Sequence, residues 1–238
     1  VRPPSPDEIK ELLEAANRTI KIVTLAPEVN GSKELIKELG RLGIVASLGH
    51  SNATYKEAMK AIKLGATHAA HTFNEMRSFH HREPGILGAV LVHDELTAEL
   101  ISDNIHVHPV AMKLLVRTKG TDKVVLVTDA IQAAGMPDGK YKLGKQNVIV
   151  KKGVCRLESG ELAGSTLTMN EAVRNAMKSV GIPLRTAIKM ATINPAVAIN
   201  VDKNKGSLEP GKDADIVIID NEINVYATIV KGKVVYKA

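Results

Sequence analysis

Hydrophobic and polar residues follow a regular order of strand-like and helix-like segments over the first half of the chain. Short apolar runs bounded by polar turns predict β-strands, and apolar residues at helical spacing predict amphipathic helices. The predicted strands cover residues 20–25, 44–48, 67–70, 97–101 and 124–127. The predicted helices cover residues 5–17, 32–39, 54–64 and 109–116, and an apolar patch at residues 86–92 is assigned to neither type. This alternation predicts an α/β fold with a parallel sheet or barrel.

The second half of the chain has a different pattern. Frequent glycines after Asp129 separate short β-like pieces, which predicts a β-hairpin insertion at about residues 136–163. Two predicted helices follow, at residues 168–179, where Thr168 and Glu171 form a capping-box pattern, and at residues 183–199. Short strands are predicted at residues 214–219, 225–230 and 233–236. We therefore expect an α/β domain over residues 1–204, which carries the insertion, and a small β portion over residues 205–238.

The composition is typical of a soluble globular protein. Its 238 residues are 44% hydrophobic, which is enough for a substantial core. No run approaches the roughly 18 to 20 apolar residues of a membrane helix, and residues 1–6 (VRPPSP) lack the pattern of a signal peptide. We therefore expect a cytoplasmic protein that does not bind membranes. The single cysteine, Cys155, excludes a disulfide within the chain.

The net charge of +6 does not by itself indicate a nucleic-acid partner. Lysine and arginine are spread along helix faces together with glutamate and form no basic block. Two phenylalanines, four tyrosines and no tryptophan leave few side chains for stacking on bases. We expect no binding to nucleic acid. An anionic small substrate suits the positive charge, although the charge does not identify one.

Two histidines stand at equivalent places in the pattern. His50 follows the predicted strand at residues 44–48, and His71 follows the one at residues 67–70, with a helix between them. A strand, a helix and a strand in this order give parallel neighbours, so both histidines are predicted at the same edge of the sheet. There they can share one divalent metal ion. For either histidine alone, the alternative is an ordinary hydrogen-bonded or solvated residue.

A carboxylate follows a third apolar strand. Asp129 comes just after the strand predicted at residues 124–127. Beside a metal ion, a carboxylate can accept a proton from water and deliver it to a leaving group, as metal-assisted hydrolysis requires. The alternative is a helix cap or a turn cap. Because two histidines accompany it, we interpret Asp129 as a catalytic acid and base.

Eight short segments carry a family pattern. They are TLAPE at residues 24–28, GHSNA at 49–53, HTFN at 71–74, REPG at 82–85, DNIHV at 103–107, LVTDA at 126–130, LAGS at 162–165 and GSLEPGKDAD at 206–215. In this order they resemble the amidohydrolase superfamily and, within it, the N-acetylglucosamine-6-phosphate deacetylases. The last segment is typical of the whole superfamily, and residues 71–85 are more specific to the deacetylases.

The resemblance implies a fold, a metal site and a catalytic residue. The implied fold is a (β/α)8 TIM barrel of the metal-dependent hydrolase type, with about five barrel strands in this chain and a small β-sandwich unit at the C-terminal end. Residues 1–204 would then be a partial catalytic barrel. His50 and His71 would ligate a divalent metal ion, zinc first of all, with iron, manganese or cobalt as alternatives. Asp129 would be the general acid and base.

The resemblance also implies a set of residues that contact the substrate. They are Asn74, Glu75, Arg82, His106, Leu162, Ala163 and Gly164. Arg82 has a planar fork suited to phosphate oxygens, with a surface salt bridge as the alternative. Gly164 would let the backbone approach a sugar closely, with a plain turn as the alternative. His106 could instead be a rim residue without function, and the pair at residues 80–81 could be a solvated loop or lie near the phosphate.

Two departures from the family and one absent segment affect these expectations. The family usually has alanine or glycine where Glu75 stands and glycine where Asn104 stands, which bears on substrate preference. Its members also carry about a further third at the amino end, including a glutamate metal ligand. Glu28 is a conceivable substitute for that ligand, although the family pattern places it after a different strand.

The function implied is hydrolysis of N-acetylglucosamine 6-phosphate to glucosamine 6-phosphate and acetate, in amino-sugar catabolism. One alternative is another amidohydrolase, such as a cyclic amidase or a deaminase, that uses the same histidines and aspartate. Another is a catalytically incomplete chain that needs an upstream segment or serves in binding. The family resemblance also implies a homodimer.

Overall fold

Helices and strands alternate over the first half of the chain, and small antiparallel sheets follow. The computed structural model describes residues 3–17 and 19–238. Its helices are α1 (Pro6–Ala15), α2 (Ser32–Arg41), α3 (Tyr55–Lys63), α4 (Gly85–Val92), α5 (Pro109–Lys119), α6 (Met169–Asn175), α7 (Leu184–Ala191) and α8 (Ile193–Ala198). Its strands are β1 (Ile22–Leu25), β2 (Val45–Leu48), β3 (Ala66–Ala69), β4 (Thr97–Ile101), β5 (Val124–Val127), β6 (Gly139–Leu143), β7 (Gln146–Lys151), β8 (Val154–Leu157), β9 (Ile216–Ile219), β10 (Val225–Val230) and β11 (Lys233–Lys237).

Strands β1 to β5 form one parallel sheet in the order β1-β2-β3-β4-β5. Each strand pairs with the next one in the chain, and one of the helices α2 to α5 lies in each crossover. A barrel of alternating strands and helices has this sequential order, whereas a doubly wound sheet reverses its order at a switch point. The predicted α/β class with about five barrel strands is therefore confirmed.

The apolar patch at residues 86–92 forms helix α4, which is buried along nearly its whole length. Every residue from Gly85 to Leu91 is buried. The helix packs against α3 and α5. A uniformly apolar run has no helical period, so its sequence does not distinguish a buried helix from a buried strand.

A capping box forms at the start of α3, but the one predicted at Thr168 does not form. At α3, the Thr54 hydroxyl accepts a hydrogen bond from the Glu57 backbone and the Glu57 carboxylate accepts one from the Thr54 backbone. Thr168 makes no side-chain capping hydrogen bond, so the prediction for Thr168 and Glu171 is wrong. The segment that begins there continues from α6 into a π-helix at Ala176–Val180.

The helix predicted at residues 183–199 is divided into α7 and α8. Its backbone is not helical at Thr192, where φ is −131° and ψ is −83°. Pro195 explains the division. A proline has no N–H to donate, and in a continuous helix its ring would clash with the carbonyl group of Ala191.

Two three-stranded antiparallel sheets follow β5. Strands β6, β7 and β8 pair in order and lie within the predicted insertion at residues 136–163. Strands β9, β10 and β11 form the second sheet, in the predicted C-terminal β portion. The division into domains at residues 204 and 205 stays a prediction.

The helices are short, and the longest α-helix described, α5, has 11 residues. Across residues 3–17 and 19–238, none combines the length and the apolar character needed to cross a membrane. The cytoplasmic location stays a prediction.

Gly49 lets the ends of β1, β2 and β3 come close together. A Cβ atom at residue 49 would lie 2.9 Å from Ala70 Cβ and 3.0 Å from Thr24 Cγ2. Gly49 and Ala70 directly precede His50 and His71. The missing side chain at Gly49 therefore contributes to how closely the two histidines approach each other.

Replacing Gly49 with alanine should lower the free energy of unfolding by about 1–3 kcal/mol, because an extra methyl group in a tightly packed region forces the backbone to shift. Gly40→Ala is the matched control. Gly40 lies on the exposed side of α2, where a Cβ atom would have no neighbour within 4 Å. Alanine favours a helix, so this change should raise the free energy of unfolding by up to about 1 kcal/mol. Denaturant titration of the full chain measures both, and an unchanged value for Gly49→Ala contradicts the packing argument.

Candidate active site

The chain leaves strands β2 to β5 through residues with unusual backbone conformations. Non-glycine residues with positive φ in these connections are His50 (46°), His71 (28°), Phe73 (80°), Glu75 (49°), Asn104 (64°) and Asp129 (49°). Each such residue costs on the order of 1–3 kcal/mol and persists only where its surroundings hold it. Strain of this kind is concentrated at functional sites, so this edge of the sheet is the candidate site.

His50 and His71 lie against each other at this edge. Their ring centroids are 4.7 Å apart and the ring planes are at 89°. The two connections that carry them are joined, because the Ser51 N–H donates to the Glu75 carbonyl and the Arg77 N–H donates to the Ser51 carbonyl, both at 2.9 Å. The structure thus brings together the two histidines that were predicted to share an edge.

Glu28 holds the connection that carries His50. Its Oε2 accepts a hydrogen bond from the Ser51 hydroxyl and its Oε1 accepts one from the Asn52 N–H, both at 2.7 Å. Both carboxylate oxygens are thus engaged by the segment after His50. This arrangement gives Glu28 a structural contact and does not support it as a substitute metal ligand.

The His71 ring has a defined tautomer. Its Nδ1 lies 3.2 Å from the backbone carbonyl of Asn74, and a carbonyl oxygen can only accept. Nδ1 therefore carries the proton, which leaves Nε2 as the nitrogen with a free lone pair. The Asn74 side-chain NH₂ group donates to the His71 carbonyl at 3.1 Å, so this group helps to shape the turn.

The electrostatic surroundings favour a neutral His50. Burial, followed by the nearby His71, lowers the pKa of His50 below its ordinary value, and the carboxylates of Glu75 and Asp129 only partly oppose this. A neutral imidazole is the form that binds a metal ion.

The two imidazoles fit part of a metal-binding set. Two rings bound to one zinc ion with bonds of about 2 Å in a tetrahedral arrangement have centroids about 5 Å apart, close to the separation observed here. Within the described part of the chain, no group of three or more histidine, cysteine, aspartate or glutamate side chains is arranged to hold a metal ion. Among the described residues, the possible set at this edge is therefore the two imidazoles.

Asp129 follows β5 at the same edge. Its carbonyl oxygen accepts a hydrogen bond from the Ser165 N–H at 2.8 Å, and the Ile131 N–H donates to the Ser165 carbonyl at 3.0 Å. No helix begins after Asp129 in the described structure, where α6 starts only at Met169. The helix-cap alternative for Asp129 therefore fails, and its carboxylate lies within electrostatic range of His50.

The turn at residues 162–164 packs against the segment after β5. Gly164 has φ 64°, and a Cβ atom there would lie 2.3 Å from Ile131 Cγ2 and 3.3 Å from the Asp129 carbonyl oxygen. Close packing beside Asp129 thus requires glycine at residue 164. This requirement is independent of any contact between the turn and a substrate. Ala163 is buried in the small cluster of β7 and β8, and Leu162 bridges to Arg156, so any substrate contact from Ala163 involves its backbone.

His106 forms a buried pair with Asp103. Asp103 Oδ2 lies 2.5 Å from His106 Nδ1, and both side chains are 8% exposed. Asp103 Oδ1 also accepts the N–H groups of Ile105 and His106, each at 2.8 Å. Burial raises the pKa of Asp103, but these hydrogen bonds outweigh burial and the pKa lies below its ordinary value. Asp103 is therefore an acceptor that fixes the proton of His106 on Nδ1.

One cavity connects His106 with the turn beside Asp129. It has a volume of about 290 Å³ and is lined in part by Asp103, His106, Lys152, Gly164 and Arg174. The cavity thus lies between His106 and the turn that packs against Asp129.

Arg82 lies in an exposed part of the long connection after β3. Its Nη1 lies 2.8 Å from His81 Nε2, and its N–H donates to His80 Nδ1 at 3.2 Å. The His80 and His81 rings are 4.3 Å apart. These contacts hold the side chains of His80, His81 and Arg82 together on the surface. None of the three contacts joins Arg82 to His50 or His71.

Three polar residues of this region are not among the site residues predicted from the sequence. Asp103 precedes His106 by three residues, a local signal that could have been used. His68 and Glu99 are polar residues in the apolar strands β3 and β4, and His68 Nε2 lies 3.0 Å from Glu99 Oε1. Burial raises the pKa of Glu99, but contacts with His68 and the His71 amide outweigh burial and the pKa lies below its ordinary value.

Relatives of known identity match nearly the whole chain. It is 42% identical over 231 residues to the N-acetylglucosamine-6-phosphate deacetylase of Lysinibacillus sphaericus, an alignment that covers 97% of this chain and 59% of that protein. It is also 42% identical over 226 residues to the N-acetylgalactosamine-6-phosphate deacetylase of Escherichia coli O157:H7, covering 95% of this chain and 60% of that protein. The chain thus spans about 60% of the length of these curated relatives.

A solved structure and a family model agree with these matches. A mutant of the N-acetyl-D-glucosamine-6-phosphate deacetylase of Mycobacterium smegmatis, in complex with N-acetyl-D-glucosamine-6-phosphate, superposes with a TM-score of 0.93 at 38% identity. The match covers 98% of this chain and 62% of that one. The family model described as "Amidohydrolase family" matches residues 4–235. The chain therefore belongs to the amidohydrolase family, a family of metal-dependent hydrolases.

Proposed function

We propose that this chain is a metal-dependent amide hydrolase that converts N-acetylglucosamine 6-phosphate to glucosamine 6-phosphate and acetate, a step of amino-sugar catabolism. The observation that carries the proposal is the contact of the His50 and His71 rings, with the Asp129 carboxylate in electrostatic range. Imidazole ligands for a metal ion and a carboxylate that transfers protons are groups that metal-assisted amide hydrolysis uses. The relatives named N-acetylglucosamine-6-phosphate deacetylase support the choice of substrate.

The metal ion is assigned to His50 and His71. The His71 ring would bind through Nε2, because its Nδ1 donates to the Asn74 carbonyl. Zinc suits imidazole ligands, and iron, manganese and cobalt are the alternatives. When bound, the ion supplies a Lewis acid that polarises the acetyl carbonyl and makes water more acidic.

Asp129 moves the proton. Its carboxylate accepts a proton from the water molecule whose oxygen bonds to the acetyl carbon. It then delivers that proton to the amide nitrogen as the C–N bond breaks, so that acetate and a free amine leave. The hydrogen bonds between Asp129, Ser165 and Ile131 keep the backbone of this residue in place while its carboxylate gains and loses the proton.

His106 presents a defined nitrogen to the substrate. Because Asp103 holds the Nδ1 proton, Nε2 is the nitrogen left for a ligand. A neutral ring accepts a hydrogen bond at Nε2, from a sugar hydroxyl for example, and an imidazolium donates one to the carbonyl oxygen as negative charge develops there.

The phosphate group is assigned to the exposed part of the connection after β3. Arg82 provides a planar fork that matches phosphate oxygens, and His80 and His81 lie beside it. Asn74, Glu75 and the backbone of residues 162–164 complete the proposed substrate contacts. The homodimer implied by the family resemblance stays a prediction, which sedimentation measures directly.

A second candidate substrate is N-acetylgalactosamine 6-phosphate. The relative from Escherichia coli O157:H7 carries that name and is 42% identical to this chain. The two sugars differ only in the orientation of one hydroxyl group, so the same metal ligands, acid and base would serve both. Ratios of kcat/KM for the two substrates decide between them.

Changing Asp129 to asparagine should reduce acetate release from N-acetylglucosamine 6-phosphate by about 10²–10⁴-fold, because the proton acceptor is lost. The measurement is acetate release by the zinc-loaded full chain. Asp122→Asn is the matched control, since Asp122 is 76% exposed and pairs with Lys189 away from the candidate site. Equal turnover by Asp129→Asn and the unchanged chain contradicts the proposed role.

Changing Arg82 to methionine should lower kcat/KM for N-acetylglucosamine 6-phosphate by about 10- to 100-fold, as loss of a charged hydrogen bond predicts. It should leave kcat/KM for unphosphorylated N-acetylglucosamine nearly unchanged. Arg117→Met, at the exposed end of α5, is the control. An equal loss on both substrates would indicate that Arg82 acts on something other than the phosphate.

Metal binding should weaken only below the ordinary histidine pKa of about 6.5. Protons compete with the metal ion for imidazole nitrogen, and burial and the nearby His71 lower the pKa of His50, so His50 stays neutral to a lower pH. Equilibrium dialysis with zinc or cobalt from pH 8 to pH 5 would measure this. The control is His108→Asn, which keeps a capping acceptor at the start of α5. Loss of binding centred above pH 7 contradicts the prediction.

A further inference from the structure

Glu99 receives three hydrogen bonds from the segment that ends β3. Its Oε1 accepts from His68 Nε2 and its Oε2 accepts from the His71 N–H, each at 3.0 Å. Its backbone carbonyl accepts from the Thr72 N–H at 2.9 Å. Glu99 of β4 thus accepts hydrogen bonds from the backbone N–H of His71, the candidate metal ligand, and from that of the next residue, Thr72.

The backbone of His71 needs such an acceptor. The paired register of β3 and β4 ends at Ala69, opposite Ala98. Thr72, and not His71, then donates to the Glu99 carbonyl, while φ at His71 is 28°. A buried N–H without a partner is costly, and a positive φ persists only where the surroundings hold it. The Glu99 carboxylate supplies the acceptor for this bent residue.

His68 in turn holds the Glu99 carboxylate. The His68 side chain is 3% exposed and that of Glu99 is 21% exposed. Nδ1 of His68 has no hydrogen-bond partner among the described residues, so the contact with Glu99 is the one that orients its ring. Both residues lie on strands of the parallel sheet, and supports on strands place a site more rigidly than supports on loops.

We propose that Glu99, oriented by His68, is a positioning residue that fixes the His71 backbone and thereby places the His71 ring against His50. The inference rests on the proposed function, because it takes His71 as a metal ligand. The Glu99 carboxylate accepts hydrogen bonds from His68 and His71, so its influence reaches the site through His71. Loss of such a supporting group typically weakens metal binding by about 10- to 100-fold.

Three variants separate positioning from general stability. Glu99→Leu removes the acceptor of both donors. The double variant His68→Leu with Glu99→Leu removes the buried pair as a unit, which avoids an unpaired imidazole and makes a folded protein easier to obtain. Glu99→Gln keeps an oxygen for the His71 amide, and its NH₂ group can donate to His68 Nε2 when that ring takes its other tautomer. Glu95→Gln, an exposed carboxylate in the loop before β4, is the matched control.

The first readout is nuclear magnetic resonance of the metal-free full chain with isotope-labelled histidine. It records the close contact between the His50 and His71 rings and the Nδ1–H tautomer of His71. We expect both signals in the unchanged chain, in Glu99→Gln and in Glu95→Gln, and their loss in both leucine variants. This readout needs neither metal nor turnover, so it stands even if the chain hydrolyses no substrate.

The second readout is zinc affinity, measured by competition with a chromogenic chelator. The leucine variants should bind zinc about 10- to 100-fold more weakly than the unchanged chain, and Glu99→Gln should bind within a few-fold of it. A folded leucine variant that keeps the ring contact and the zinc affinity overturns the proposal. A folded Glu99→Gln protein that lacks the ring contact also overturns the proposal. This second test applies even if both leucine variants unfold. Ring contact and zinc binding without acetate release would refute only the proposed function.

Discussion

Parallel pairing of β2 to β5 is the constraint on which the candidate site depends. Because a helical segment returns the chain after each strand, every strand ends at the same edge of the sheet. His50, His71 and Asp129 come from three different strands and still share that edge. One antiparallel strand in this series would place its residue at the opposite edge, and the group of three would not exist.

The connections at this edge hold each other through hydrogen bonds that run from one to the next. Glu28 after β1 accepts from the segment after β2, and Ser51 after β2 donates to Glu75 after β3. Ser165 is bound to Asp129 in the same way. Backbone strain of about 1–3 kcal/mol per residue is comparable to what hydrogen bonds with charged groups contribute. The strained conformations therefore depend on the network and not on any one turn.

Two histidine–carboxylate pairs flank the site and differ in what they orient. Asp103 holds the ring of His106 directly and decides which nitrogen remains for a ligand. Glu99 holds the backbone of His71, while the ring of that residue is held by the Asn74 carbonyl. Both carboxylates have pKa values below the ordinary range, so both are ionised at neutral pH. Each adds stability above its unfolded pKa of about 4, which is lost as the pH falls through the folded value.

The sequence by itself determined the order of strands and helices and the positions of His50, His71 and Asp129, because hydrophobic period and strand ends are local properties of the chain. It left α4 unassigned, since a uniformly apolar run has no period. Only the tertiary structure decided that Glu99 meets His68, a residue 31 positions away, and that Gly164 packs against Ile131. Such contacts depend on strand register and on the paths of connections, and these are fixed by packing over the whole core and not by any short segment.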